Sequence, residues 1–160
     1  MILDGDLPAR IAVDTSVLAA AFDEDHRIFI QCRQLIEHIV QRQVLLVPAA
    51  ALGERLIYGD DSLLTLPRLD ILSFDIRGAR SMADAIGNRA GLATKGYPKK
   101  VVKFDAMIIG TCLAHGVELL ITHDRKQLSL ANQAGLRARD PVDFYARDPP
   151  SPQVGLFDST

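Results

Sequence analysis

Four acidic residues, distant from one another along the chain, fall where carboxylates could act together on a divalent cation: Asp14, Glu54, Asp105 and Asp124. Asp14 ends a short apolar run, and Asp124 follows the apolar run 117–121 by three residues. If both runs are strands of a parallel sheet, their carboxyl ends lie at one edge, which is where such sheets bind ligands. We therefore expect Asp14 and Asp124 to meet there. Each of them alone is also explained as a helix N-cap.

Glu54 and Asp105 are unusual because their surroundings in the sequence are apolar. Glu54 lies in a largely apolar helical stretch, and Asp105 opens another that is apolar nearly all round. Burying an unpaired carboxylate is costly, so each needs a partner. That partner is either a basic side chain, such as Arg55 or Lys103, or a cation that all four acids share.

A shared cation explains the four acids together. Two like charges about 4 Å apart repel by roughly 4 kcal/mol at an effective dielectric constant near 20. Without a positive ion, the four carboxylates would raise one another's pKa or open the fold. An all-oxygen ligand set favours Mg²⁺ or Mn²⁺. Zinc is the weaker choice, because Cys32 and Cys112 form no CxxC pair.

Short apolar runs alternate with stretches of helical periodicity, and this alternation predicts the elements that must position the acids. The predicted strands are 10–14, 44–47, 69–74, 117–121 and 136–138. The predicted helices are 17–22, with Thr15 and Ser16 as caps, 25–41, 49–58, 77–92 and 104–114. Gly96, Pro98 and the nearby lysines predict an exposed basic loop over 93–103. This order is typical of an α/β fold with a parallel sheet covered by helices on both faces.

Composition and charge limit the class of protein. The chain has 160 residues, which suits one domain, and a formal net charge of −2. If the four acids bind metal, 16 of the 20 Asp and Glu remain against 18 Lys and Arg, a mildly basic balance that permits RNA binding. The sequence contains neither a membrane-spanning apolar run nor a basic signal-like start, since Asp4 and Asp6 lie in its first residues. These features favour a reducing cytoplasm.

The acids and their flanking residues carry a family resemblance. The pieces are Val13-Asp14-Thr15-Ser16-Val17-Leu18, Glu54 in a helix ending at Tyr58-Gly59, Asp105-Ala106 opening an apolar helix, and Ile121-Thr122-His123-Asp124. In this order and spacing they resemble PIN-domain ribonucleases, with the closest likeness to VapC-like toxins of toxin–antitoxin pairs. Such proteins often carry an aromatic three residues after the last acid, where this chain has Gln127.

The resemblance implies a three-layer α/β/α sandwich around a short parallel sheet and a Mg²⁺- or Mn²⁺-dependent endoribonuclease. By that likeness Asp14, Glu54, Asp105 and Asp124 bind the metal and are catalytic, while the hydroxyls of Ser16 and Thr122 support them. It also implies an RNA substrate, a small antitoxin protein as partner and a homodimer. The candidate RNA-binding residues are Arg89, Lys99, Lys100 and Lys103.

We divide the chain into a leader over residues 1–9, a PIN-like nuclease domain over 10–144, and a proline-rich, flexible tail over 145–160. Two other functions fit the same acids. One is a non-catalytic PIN-like or receiver-like module that binds Mg²⁺ and interacts with proteins. The other is a metal-dependent phosphatase of small substrates, although that chemistry normally wants a second Asp two residues after the first, where Ser16 stands.

Overall fold

The computed structural model describes residues 7–86 and 99–145, and within them all side chains except those of residues 86 and 99–103. The strands are β1 (Ile11–Val13), β2 (Leu45–Pro48), β3 (Leu69–Leu72), β4 (Leu119–Ile121) and β5 (Ala138–Arg139). The α-helices in these ranges are α1 (Thr15–Ala21), α2 (Phe29–Arg42), α3 (Ala49–Ile57), α4 (Ile76–Ile86), α5 (Lys99–Ala114) and α6 (Arg125–Gln133). Two 3-10 helices, Ser62–Thr65 and Pro141–Phe144, complete the described elements.

The five strands form one parallel sheet in the order β3-β2-β1-β4-β5. In β1, Ile11 lies opposite Leu45 of β2 on one side and Leu119 of β4 on the other. Every residue of β1, β2 and β4 is buried. Because successive side chains of a strand point to opposite faces, helices must cover both faces of the sheet. The predicted three-layer α/β/α sandwich is confirmed.

Helix α1 differs from the prediction in how it begins. The helix starts at Thr15, and the carboxylate of Asp14 caps it by accepting the backbone N–H of Val17. The hydroxyls of Thr15 and Ser16, which we expected to cap the helix, donate to acidic side chains instead. An ionised carboxylate is the stronger acceptor at a helix N-terminus, where it also interacts favourably with the helix dipole.

Helix α5 corrects the predicted basic loop. The helix already begins at Lys99, so the final residues of the predicted 93–103 loop are helical, while residues 93–98 lie outside the described part of the chain. Lysine is a good helix former. The lysines at 99, 100 and 103 are therefore compatible with the first turns of a helix. Predicted residues 87–92 of the preceding helix and the tail beyond residue 145 also lie outside the description.

Helices α4 and α5 pack closely because glycine lies at their contact. A Cβ built on Gly110 would stand 2.6 Å from the carbonyl oxygen of Gly78 and 2.7 Å from Cβ of Met82. Real side chains do not approach so closely. The absence of a side chain at Gly110 therefore sets the separation of the helix that carries Asp105 from its neighbour.

The two cysteines are both free and buried, Cys32 in α2 and Cys112 in α5. Burial raises the pKa of the Cys32 thiol to about 12 and raises that of Cys112 further still. Within residues 7–86 and 99–145, no helix combines the length and apolar character that crossing a bilayer requires.

Candidate metal centre and active site

The strand order places a crevice beside the central strand. The chain moves from β1 to β2 and β3 on one side, then returns to form β4 and β5 on the other. At such a switch point, the loops after adjacent strands diverge and leave room for a ligand. A cavity of about 510 Å³ lies there, and Asp14, Glu54, Asp105 and Asp124 all line it. Its other lining residues are Thr15, Ser16, Tyr58, Phe104, Ile108 and Gln127.

Asp14 is buried and held by three donors. Its Oδ1 accepts the Ser16 hydroxyl at 2.7 Å and the Val17 N–H at 3.1 Å. Its Oδ2 accepts the hydroxyl of Thr122, which follows β4, at 2.7 Å. These contacts fix the carboxylate across the gap between β1 and β4.

The loop after β4 is joined to the same network. Asp124 caps α6, with Oδ1 accepting the N–H groups of Lys126 and Gln127. The backbone N–H of Asp124 donates to the Thr122 hydroxyl oxygen at 3.1 Å. The backbone N–H of His123 donates to Ser16 Oγ at 2.9 Å. Thus Ser16 and Thr122, which we expected to support the acids, each contact Asp14 and the loop that carries Asp124.

Glu54 and Asp105 approach from helices α3 and α5. One oxygen of Glu54 accepts the Thr15 hydroxyl at 2.7 Å. Arg55, considered above as a salt-bridge partner for Glu54, pairs with Asp60 instead. Asp105 differs from the other three, because its Oδ2 is buried and has no hydrogen-bond partner.

The acids perturb one another's titration. Burial raises the pKa of Asp105 to about 7, with further increases from the charges of Asp124, Asp14 and Glu54 and a small opposing effect of Lys126. Burial also raises the pKa of Asp14 to about 6, although its hydrogen bonds from Thr122, Ser16 and Val17 work against the shift. Carboxyl groups that resist ionisation beside other carboxylates indicate a site that lacks positive charge.

The carboxylates surround the cavity without forming a finished metal cage. Across residues 7–86 and 99–145, no three His, Cys, Asp or Glu side chains are already arranged to hold a metal ion. Oxygens of Asp14, Asp124 and Glu54 accept hydrogen bonds from hydroxyl and backbone donors, whereas Oδ2 of Asp105 has no partner. Joint coordination of a cation therefore requires the side chains to move.

Gln127 is a cavity residue whose place sequence reasoning did not find. It is buried, and its Oε1 lies 3.2 Å from the Thr122 hydroxyl, while its Nε2 has no partner. The single proton of Thr122 goes to Asp14, which is the closer acceptor and the charged one. Turning the amide over would let Nε2 donate to the Thr122 hydroxyl oxygen, but Oε1 would then stand where no donor reaches it. The only signal in the sequence was the missing aromatic at this position.

His123 lies in a separate polar cluster behind the loop. Its Nδ1 is 2.8 Å from Asp140 Oδ2, and its Nε2 is 3.4 Å from a guanidinium nitrogen of Arg27. Arg27 can only donate, so its contact with Nε2 fits the tautomer in which Nδ1 donates to Asp140. The ring thereby ties the end of β4 to the beginning of the last 3-10 helix.

The side chains of the predicted RNA-binding residues lie outside the described part of the structure. Arg89 lies outside the described residues, and Lys99, Lys100 and Lys103 belong to the first turns of α5, with side chains that are not described. Their role stays a prediction.

The fold and the site together define a class: a three-layer α/β/α protein with a carboxylate-lined cavity at the switch point of a parallel sheet. Residues 11–133 match the family model of the PIN domain. The chain belongs to the PIN-domain family, whose members are generally nucleases. No curated protein matches the sequence significantly.

Solved structures of similar fold include two VapBC complexes. One is VapBC from Salmonella typhimurium bound to DNA, with a TM-score of 0.61 and 19% identity over 84% of this chain and 99% of that chain. The other is VapBC2 from Rickettsia felis bound to a promoter DNA fragment, with a TM-score of 0.58 and 16% identity over 81% of this chain and 97% of that one. At these identities the likeness concerns the fold.

Proposed function

We propose that this protein is a metal-dependent endoribonuclease that hydrolyses RNA phosphodiesters and acts as the toxin of a toxin–antitoxin pair. The observation that carries the proposal is the meeting of Asp14, Glu54, Asp105 and Asp124, from four separate segments, around one cavity. Membership of the PIN-domain family supports nuclease chemistry. RNA as the substrate, the metal and the toxin role are the proposed part.

The residues present fit a hard divalent cation. The cavity offers four carboxylates, and the buried, unpartnered Oδ2 of Asp105 is the atom that most needs a positive partner. Oxygen donors of this kind suit Mg²⁺ or Mn²⁺. Asp14, Asp105, Asp124 and Glu54 would hold the ion. When bound, it would supply positive charge for the phosphate and lower the pKa of a water molecule.

The chain's own side chains favour water, rather than a residue, as the nucleophile. The two aliphatic hydroxyls that line the cavity serve as donors to the acids, since Thr15 donates to Glu54 and Ser16 donates to Asp14. Asp14 itself is buried and held by three donors, which leaves it poorly placed to attack phosphorus. Ser16 and Thr122 orient Asp14, and Glu54 and Asp105 complete the acidic wall. The expected products carry a 5′-phosphate and a 3′-hydroxyl.

The decisive variant is Asp105→Asn, because it should separate activity from folding. Loss of a ligand charge should lower metal-dependent RNA cleavage by at least about a hundredfold. Removing a buried carboxylate that other acids repel should leave the metal-free fold equally or more stable. Cleavage of total RNA with mapped ends, and urea unfolding in EDTA, measure the two effects.

Asp70→Asn is the matched control, since Asp70 is exposed on β3 and does not line the cavity. It makes the same change in charge and should cleave as the wild type does. Equal cleavage by wild type and Asp105→Asn would reject this active site. Cleavage that persists in EDTA would reject the metal requirement. Turnover of a generic phosphomonoester with a covalent phosphoenzyme would favour the phosphatase alternative.

We further propose a small antitoxin protein as the partner and a homodimer as the free state, both in the cytoplasm, where RNA is available. The support for the antitoxin is that the similar folds described above were solved as VapBC complexes. Light scattering of the purified chain measures the oligomeric state. Co-purification with the product of the adjacent reading frame, with loss of RNA cleavage in the complex, tests the antitoxin.

A further inference from the structure

The rim of the acidic cavity contains two aromatic rings that the fold leaves in solvent. Tyr58 follows the last residue of α3 and is 76% exposed, and Phe104 of α5 is 42% exposed. Both line the same cavity as the four carboxylates. A rim aromatic usually packs against its own protein, but here neither ring belongs to the core.

The backbone beneath Tyr58 is firmly held. The N–H of Tyr58 donates to the carbonyl of Arg55, and Gly59, at a φ of 75°, turns the chain immediately afterwards. The Arg55 guanidinium pairs with Asp60, whose carboxylate also accepts the N–H of Ser62. An exposed ring on a fixed turn loses little backbone entropy when a ligand covers it, which favours binding.

We propose that Tyr58 and Phe104 form a nucleobase-binding subsite. A base next to the cleaved phosphodiester would unstack from its neighbours in the RNA and stack on these rings. The inference rests on the proposed RNA cleavage. Proteins that bind single-stranded RNA commonly stack splayed bases on aromatic side chains. A neutral base tolerates the acidic wall that repels a second phosphate.

A protein segment is the competing occupant, and the position of the rings argues against it. The exposed aliphatic neighbours Leu56 and Ile57 do not line the cavity, whereas Tyr58 does. A protein partner covering an apolar surface would use all three. Ile57 has the same 76% exposure as Tyr58, one residue away, and so provides a matched control.

The test compares Tyr58→Ala, Tyr58→Phe, Phe104→Ala and Ile57→Ala on a short random-sequence single-stranded RNA with Mn²⁺. Loss of one stacking platform should lower kcat/KM roughly tenfold or more for Tyr58→Ala and Phe104→Ala. Tyr58→Phe keeps the ring and should restore cleavage, and Ile57→Ala should match the wild type. A second readout, independent of cleavage, is quenching of a fluorescent purine analogue in the same RNA with Ca²⁺ replacing Mn²⁺. Tyr58→Ala should weaken this quenching, and Ile57→Ala should not.

Each result decides one of the two proposals. If the wild type cleaves RNA while Tyr58→Ala and Phe104→Ala cleave equally well, the base subsite is rejected and the nuclease proposal stands. If Ile57→Ala loses as much as Tyr58→Ala, a general apolar surface replaces the base subsite. If the wild type does not cleave, the nuclease proposal fails. Tyr58-dependent quenching would then still support the subsite, and unquenched purine would reject it.

Discussion

The carboxylate of Asp14 serves the fold and the cavity at the same time. Its Oδ1 caps α1 through Val17, and its Oδ2 receives the Thr122 hydroxyl from beyond β4. A substitution at Asp14 therefore changes a helix cap, a link between two strands and the charge of the cavity together. Asp105 has no such structural contact at Oδ2, which makes it the cleaner site for separating chemistry from stability.

The titration of Asp105 and Asp14 predicts how the metal-free protein responds to pH. An unfolded Asp has a pKa near 3.9, and in the fold the pKa of Asp14 rises to about 6 and that of Asp105 to about 7. Between these values the folded state binds more protons than the unfolded state. Its free energy of unfolding should therefore fall as pH rises from about 4 to about 7. Urea unfolding in EDTA across this range measures the change.

The Asp105→Asn variant should show a shallower decline than the wild type over the same pH range, because one of the two perturbed groups is gone. Added Mg²⁺ should raise wild-type stability most at the upper end, where the carboxylates are ionised. Wild-type stability that increases steadily through this range, or a variant with an unchanged slope, would contradict the assignment.

Replacing the buried amide of Gln127 by an apolar side chain should not destabilise the protein. One atom of its buried amide lacks a partner in either orientation, and leaving such an atom unsatisfied costs about 1–3 kcal/mol. Gln127→Met keeps the side chain's length and removes the polar atoms. We expect the free energy of unfolding to stay equal or to increase by about 1 kcal/mol. Loss of more than that amount in urea unfolding would show that the amide has a satisfied role.

For individual residues, the sequence predicted which acids line the cavity, but not which hydrogen bonds orient them. Asp14 and Asp124 stood out because they follow buried strands, and Glu54 and Asp105 because their neighbours are apolar. Gln127 is buried beside the Thr122 hydroxyl across the loop, a contact that no spacing in the sequence reveals. The exposure of Tyr58 likewise depends on the turn that Arg55 and Asp60 close.

Among the helices, the close contact of α4 with α5 predicts that a side chain at Gly110 destabilises the fold. Gly110→Ala would place a Cβ 2.6 Å from a backbone oxygen of α4, which cannot move aside as a flexible side chain could. Such overpacking costs about 1–3 kcal/mol, more than the gain of about 1 kcal/mol from replacing a helical glycine. We expect a net loss of up to about 2 kcal/mol, measured by urea or thermal unfolding.

Gly53→Ala is the control for Gly110→Ala. Gly53 lies inside α3, and a Cβ there would meet nothing within 4 Å. The substitution should stabilise the protein by about 0.5–1 kcal/mol through the helix propensity of alanine. If both glycine variants change stability in the same direction, the close helix contact is not what distinguishes them.

The elements that the sequence predicted well are those whose burial leaves a continuous apolar signature. Strands β1, β2 and β4 are short uninterrupted apolar runs, buried on both faces, and were found within one or two residues of their bounds. Helix α6 was missed because its sequence, RKQLSLANQ, is mostly polar and carries no broad apolar stripe. The sequence features that mark this helix are Asp124, which caps its beginning, and Gly135, which follows its end and adopts a positive φ.

For the molecule as a whole, the cysteines report on the integrity of the core. Cys32 in α2 and Cys112 in α5 are both fully buried, and burial raises the pKa of each thiol. Because the thiolate is the reactive form, neither should react with a thiol-specific reagent in the native protein at pH 8. Both should react once urea unfolds the chain. A fast-reacting thiol in the native state would show that the core opens locally around that helix.

The strand order has a consequence for the order in which the protein is made. A ribosome releases β1, β2 and β3 long before β4, yet β1 lies between β2 and β4 in the sheet. Until β4 emerges, one side of β1 lacks its hydrogen-bonding neighbour, and the acidic wall lacks Asp124. If the proposed nuclease needs all four acids, a nascent chain that still lacks β4 and Asp124 should not cleave RNA.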